Sequence, residues 1–171
     1  MRCLQTTGFI NFRMRAMIVS FACFVLHISW KEINYPLAKL FIDYEPGIHI
    51  SQLQMQAGIV GINTIRVYSP SKQAIDQDPD AIFIKKWVPE LKNFTPAEIH
   101  SYNKINLAGY YVPVVDYEKQ IKIMKDRIFK IRKSPQTQFK ANEIQRKFGS
   151  KWKSKKARKK KEKKSISLNL F

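Results

Sequence analysis

Two cysteines, six glycines and three histidines in 171 residues leave several chemistries without material. Cys3 and Cys23 stand twenty positions apart in apolar or helical surroundings, which provides neither a disulfide framework nor a metal-ligand spacing. That usage fits a reducing, intracellular compartment such as the cytoplasm. The longest apolar run, from Ala16 to Trp30, is fifteen residues, short of the ~20 that a membrane-spanning helix needs. Arg13 and Arg15 precede it, but no small-residue cleavage site follows, so it reads as a buried core helix rather than a signal peptide, with no membrane as partner. Gly58-x-x-Gly61 alone is too little for a phosphate-cradling loop. No nucleophile-base pair or metal cluster is visible, so no catalytic residue and no metal are assigned. No internal repeat and no alternating strand pattern appear, which makes the expected class all-α.

Acidic residues are also scarce: 13 Asp plus Glu against 31 Lys plus Arg, a formal net charge of +18. Such an imbalance favours a polyanionic partner or an anionic surface. Residues 151–164 hold ten basic side chains and only Glu162 as an acid, +9, and the other 157 residues carry the remaining +9.

What is present is helical periodicity. Met14, Met17, Ile18, Phe21, Phe24, Val25 and Ile28 recur at spacings of three and four, one stripe along a helix. A shorter helix is expected around Leu37, Leu40 and Phe41, ending near Glu45-Pro46-Gly47, and another from about Ile48 to Ala57. Gly58 and Gly61 mark a loop. Ser69-Pro70 and Asp78-Pro79-Asp80 read as helix starts and Val88-Pro89 as a stop. Asn93 to Val115 has little periodicity and reads mainly as ordered loop anchored by Tyr102, Tyr110 and Tyr111. Asp116 is a good N-cap for a helix running to Lys133 through Tyr117, Ile121, Met124, Ile128 and Ile131, and a further helix follows Ser134-Pro135. The lysine run has almost nothing to bury and is expected to be disordered. It reads either as a salt-sensitive nucleic-acid contact or as a solvated extension.

Three segments, in order, resemble the flavin-binding domain of the DNA photolyase/cryptochrome family: Thr7-Gly8-Phe9-Ile10-Asn11-Phe12-Arg13-Met14-Arg15, then Leu40-Phe41-Ile42-Asp43-Tyr44-Glu45, then Arg66-Val67-Tyr68-Ser69-Pro70 continuing through Gln73 and Asp78-Pro79 to Phe83-Ile84-Lys85-Lys86-Trp87-Val88-Pro89-Glu90-Leu91. The third is the most specific, since aspartate-proline, a basic pair, tryptophan and Pro-Glu-Leu recur in fixed order. The resemblance covers residues 1–148 and implies a helical cluster around FAD, with residues 149–171 as a basic tail outside it.

The family likeness implies FAD contacts at Phe9, Phe12, Arg15, Asp43, Glu45 and His49. An arginine such as Arg15, held by a carboxylate such as Asp43, would stabilise the negative charge of a reduced ring, and Asp43 or Glu45 would accept its imide hydrogen. An ordinary interhelical ion pair is the competing reading. His49 falls at the position beside the flavin N5 edge, where repairing members carry asparagine; it is either a hydrogen-bond donor there or a satisfied polar residue of a helix. Trp30 aligns with the middle of three electron-passing tryptophans, or is a packed aromatic, and Leu53 occupies the position nearest the flavin. Met55 stands where repairing members stack an aromatic on a flipped lesion. Arg13 and Arg66 match positions that approach DNA phosphates, or are solvated surface arginines.

The opening residues Met1-Arg2-Cys3-Leu4-Gln5 resemble the middle of a family helix. The chain is therefore expected to begin partway through the flavin domain, with an upstream half of the same protein as a candidate partner and DNA as the partner of intact relatives. Blue-light electron transfer, repair or photoreception belongs to those relatives, and catalysis by this chain alone is not expected. The alternatives are a non-enzymatic basic helical protein that binds nucleic acid, and an inactive truncated gene product.

Overall fold

The computed structural model describes residues 1–60, 65–101 and 110–149. Every regular element among them is a helix, as the absence of alternating patterns requires. Helix α1 (Arg2–Thr7) is closed by Gly8 at φ 69°, whose N–H donates to the Leu4 carbonyl at 2.8 Å. Glycine takes that left-handed conformation without steric cost. Its carbonyl then accepts the N–H of Ile42 at 3.0 Å, fastening the turn to the segment that carries Asp43.

Helix α2 (Phe12–Phe24) starts at Asn11, whose side chain accepts the Met14 N–H. It is shorter than the apolar run. Val25 is its C-cap, His27 turns the chain at φ 56°, and Ile28 lies beyond the helix. Its deepest face is Ala16, Val19, Ser20, Cys23 and Phe24, with Met14 and Ile18 only partly buried. A helix apolar on all sides does not declare its inward face by periodicity. Helix α3 (Trp30–Ala38) starts at Ser29, earlier than expected, and tolerates Pro36 near its end; Leu40 and Phe41 fall in the following turn. Pro46 does not stop a helix but begins α4 (Pro46–Gln56), because Glu45 caps it and a proline at the first position has no N–H to lose.

Helix α5 (Pro70–Gln77) follows the Ser69 cap. The expected start at Asp78-Pro79-Asp80 is displaced: α6 spans Ile82–Trp87, and Asp78 reaches forward so that its two carboxylate oxygens accept the N–H groups of Phe83 (3.0 Å) and Ile84 (2.9 Å). A 3-10 turn at Pro89–Leu91 marks the expected stop. Helix α7 (Pro96–His100) lies inside the stretch expected to be loop, built on a capping box between Thr95 and Glu98. Tyr110 packs there, whereas Tyr111 is exposed. Asp116 caps α8 (Tyr117–Lys133) by accepting the Lys119 N–H at 3.0 Å. Gly61, Tyr102, Gly109 and the lysine run lie outside the described residues.

The described residues fall into two compact units that divide between Lys133 and Ser134. In the first, α2 packs on α3, α4 and α8 around Leu4, Ile10, Val19, Phe24, Leu37 and Leu53. Burying each such side chain contributes about 1.5–3 kcal/mol. Ala81, Leu91 and Ile99 form a second, smaller cluster. In the second unit, α9 (Pro135–Phe148) is capped by Ser134 and buries none of its side chains.

Candidate functional site

The Gly8 turn and the first turns of α2 bring together the polar centre. Arg15, two residues after Arg13 on α2 and so on the other side of the helix, sends Nε to the Ile10 carbonyl at 2.9 Å and Nη2 to both oxygens of Asp43, at 2.8 and 2.7 Å. Its guanidinium lies 4.2 Å from the centroid of the Phe41 ring and 5.4 Å from that of Phe9. The side chain of Arg15 is 15% exposed and that of Asp43 47%, so the cation sits inside and its carboxylate faces out. The guanidinium hydrogen bond holds the Asp43 carboxyl below the usual carboxylate range. Nη1 of Arg15 has no hydrogen-bond partner among the described residues.

Glu45 is committed to the helix behind it: one carboxylate oxygen accepts the Gly47 N–H at 3.0 Å and the other the Ile48 N–H at 2.6 Å. It is at once the N-cap of α4 and a neighbour of the Asp43 segment. His49, one turn into α4, is buried, and its Nε2 meets the Asn34 carbonyl at 3.2 Å. A carbonyl only accepts, so Nε2 carries the proton. The imidazole also lies edge-on to Phe41 and Tyr44, at centroid distances of 5.9 and 5.3 Å.

Arg15, Phe41 and His49 line, with Gln52 and Leu53, a narrow cavity of about 10 Å³. That holds one water at most. The outer side differs: Phe9, over which Arg15 lies, and Ile42 and Tyr44, which flank Asp43 in the chain, are exposed, as are Phe12 at the start of α2 and Ile48 in the first turn of α4. A buried cation, an outward carboxylate and bare aromatic rings suit the polar edge and one face of a planar, negatively charged heterocycle. The donor set therefore fits one wall of a flavin site, and the small cavity has no room for such a ring.

The remaining expected residues are spread more widely. Trp30, at the start of α3, is partly buried against the large core, and Leu53 is 1% exposed within it. Arg13 is exposed and donates to the Gln73 side chain on α5 at 3.3 Å. Arg66 is exposed in the segment leading to α5, where the Tyr68 N–H donates to the Ser20 hydroxyl at 3.2 Å. Met55 is 39% exposed on α4. Sequence reasoning missed Asn34, whose carbonyl orients His49 and whose own Oδ1 is buried without a hydrogen-bond partner. Nothing in its local sequence distinguishes it. Gly8 was legible as a turn, but not as the residue that fastens Asp43.

No group of three His, Cys, Asp or Glu suited to a metal ion occurs among the described residues, and no helix among them is long and apolar enough to cross a membrane. A family model described as the FAD binding domain of DNA photolyase matches residues 1–130. The chain belongs to this photolyase/cryptochrome family. It is 31% identical over 138 residues to the deoxyribodipyrimidine photo-lyase of Vibrio cholerae, covering 78% of this chain and 29% of that protein. It is 34% identical over 101 residues to cryptochrome DASH of Gloeobacter violaceus, covering 58% and 20%. Among solved structures, the Sulfolobus tokodaii photolyase with two FAD molecules matches at a TM-score of 0.72 and 35% identity, over 76% of this chain and 30% of that one. The chain thus spans less than a third of these relatives.

Proposed function

We propose that this chain supplies the wall of an FAD site that faces the ring's polar edge, in a protein that transfers electrons under blue light. The observation that carries this is Arg15: a mostly buried cation clamped between Asp43 and two aromatic rings, beside an uncovered aromatic face. Arg15 would offset negative charge on a reduced ring, and Asp43, kept ionised by Arg15, would accept an imide hydrogen. His49 donates Nε2–H to the α3 backbone, and its buried ring packs edge-on to Phe41 and Tyr44 on either side of Asp43 in the chain. Bound FAD would supply the one-electron chemistry. Leu53, a buried aliphatic that is not photo-oxidised, stands where the family likeness implies the tryptophan nearest the flavin, so photoreduction by that aromatic route would be slow. Phosphates of DNA, the partner implied by the photo-lyase relatives, would meet Arg13 and Arg66.

The test is the visible absorption spectrum after incubation with excess FAD and gel filtration. Flavin bands are expected to elute with the protein, and Arg15→Ala is expected to reduce the retained flavin at least about tenfold, one charge-assisted contact being worth about 1.5–3 kcal/mol. Absence of retained flavin in the unaltered chain, or unchanged retention in the variant, overturns the reading.

A further inference from the structure

The positive charge is far less evenly distributed than a division at the lysine run suggests. Residues 1–116 hold 11 Lys plus Arg against 9 Asp plus Glu, a net +2, whereas residues 117–171 hold 20 against 4, a net +16. The change of sign balance falls at the start of α8, inside the folded unit. That helix turns Ile121, Met124 and Ile128 to the core, and Tyr117 stacks on Phe21 and donates its hydroxyl proton to the Tyr68 carbonyl at 2.9 Å. Positions 119, 122, 126, 130 and 133 recur at spacings of three and four on the side away from that core. They are Lys119, Lys122, Asp126, Lys130 and Lys133, all exposed. None of the four lysines makes an ion pair among the described residues.

We infer that the outward face of α8 binds the phosphate backbone of nucleic acid without regard to sequence, as a surface separate from Arg13 and Arg66. From Lys119 to Lys133 the stripe is about 21 Å long at 1.5 Å per residue. Over that length one strand of a duplex presents about six phosphates. Four unpaired ammonium groups fixed on a packed helix are point charges held at that spacing, and Asp126 is the single opposing charge in the stripe. The sequence after Gly149 adds ten more basic residues of the same sign to the electrostatic attraction. An anionic membrane is the rival partner. An interfacial helix, however, inserts one apolar face between lipid headgroups; on α8, Ile121, Met124 and Ile128 are spent on the core, and the exposed Ile123, Phe129 and Ile131, six and two residues apart, do not all share a face. The inference does not depend on flavin, because α8's outer face carries none of the residues that surround Arg15.

The experiment is fluorescence anisotropy of the full chain with an undamaged 20-base-pair duplex across 50–200 mM salt, without FAD. The variant is K119Q/K122Q/K130Q/K133Q, checked by circular dichroism. Its comparators are the four arginine substitutions at the same positions, K159Q/K160Q/K161Q/K163Q in the lysine run, and R13Q/R66Q. The α8 glutamine variant is expected to lose about 0.9 in the slope of log K against log salt for each phosphate contact removed, about 2–4 in all, and at least about tenfold in affinity at low salt. The arginine version is expected to bind as the unaltered chain does. An α8 glutamine variant that binds like the unaltered chain overturns the inference, whichever comparator falls instead. So does binding to phosphatidylserine vesicles in the absence of duplex binding.

Discussion

The first unit contains two apolar clusters that are stabilised differently. The larger, around Phe24, is built from side chains that remote helices press together: Leu4 on α1, Val19 and Cys23 on α2, Leu37 on α3 and Leu53 on α4. The smaller has three buried members, Ala81, Leu91 and Ile99, and its helices are short and held mostly by caps: Asp78 on α6 and Thr95 with Glu98 on α7. The two are joined by polar ties, Arg13 to Gln73 and a two-pronged pair in which Arg2 Nη1 and Nη2 reach the Glu90 carboxylate at 2.7 and 2.6 Å. Burial scales with apolar area, whereas exposed polar ties gain little net free energy. The larger cluster should therefore set global stability, and the smaller should open first.

Truncation in each cluster tests that ordering most strongly. Phe24 is 0% exposed and lies beside Gly58, so Phe24→Ala is expected to cost about 3–5 kcal/mol and to unfold the whole first unit in a urea titration. Leu91→Ala, in the smaller cluster, is expected to cost about 2 kcal/mol and to raise amide exchange only in α5 to α7. If exchange rises equally in α2 and α4 of the Leu91 variant, the two clusters are one cooperative unit and the distinction fails.

The next effect concerns how the larger cluster is connected to the site. Gly8 stands at φ 69°, and a Cβ there would collide with the Ile42 side chain next to Asp43. Gly8→Ala is expected to cost at least about 1 kcal/mol from the backbone alone and to loosen the Arg15–Asp43 pair, lowering both the melting temperature and any FAD retention. A variant that loses stability but keeps full retention would detach the turn from the site.

The same contrast explains what could be read beforehand. The all-α class and the caps at Ser69, Asp116 and Ser134 followed from local chemistry, because a cap needs only its own next turn. Helix α7 was equally local. Thr95-Pro96-Ala97-Glu98 is a capping box with proline at the first position, and it was hidden only by the surrounding Pro and Gly. The inward face of α2 was not local, since its burial depends on which helices arrive from 20 to 100 residues away. Of the site, Arg15 with Asp43 was legible through family likeness and stands as a direct contact. Asn34 was invisible, because its importance comes from a carbonyl and an orphaned side-chain oxygen that only the packing of α3 on α4 creates.

The smallest expected effect is electrostatic, and it separates the two clusters by pH. Arg2 holds the Glu90 carboxyl down at about 2, from 4.5 when unpaired, and Arg15 lowers Asp43 from 3.8. A depressed folded-state value means that the unfolded chain takes up protons first. The contribution is therefore complete above pH 4.5 and is lost as pH falls from there through about 2 for Glu90. Asp43 follows the same sign, starting below 3.8. Glu90→Gln is expected to flatten the decline in melting temperature that begins near pH 4.5, while leaving the part that begins below 3.8 in place; Asp43→Asn should do the reverse. Because both carboxylates are largely exposed, salt should shrink both effects. If the Glu90 variant also melts at a lower temperature at pH 7 by as much as Leu91→Ala does, the ion pair is a principal support of the smaller cluster rather than a tie between two bodies that fold by burial.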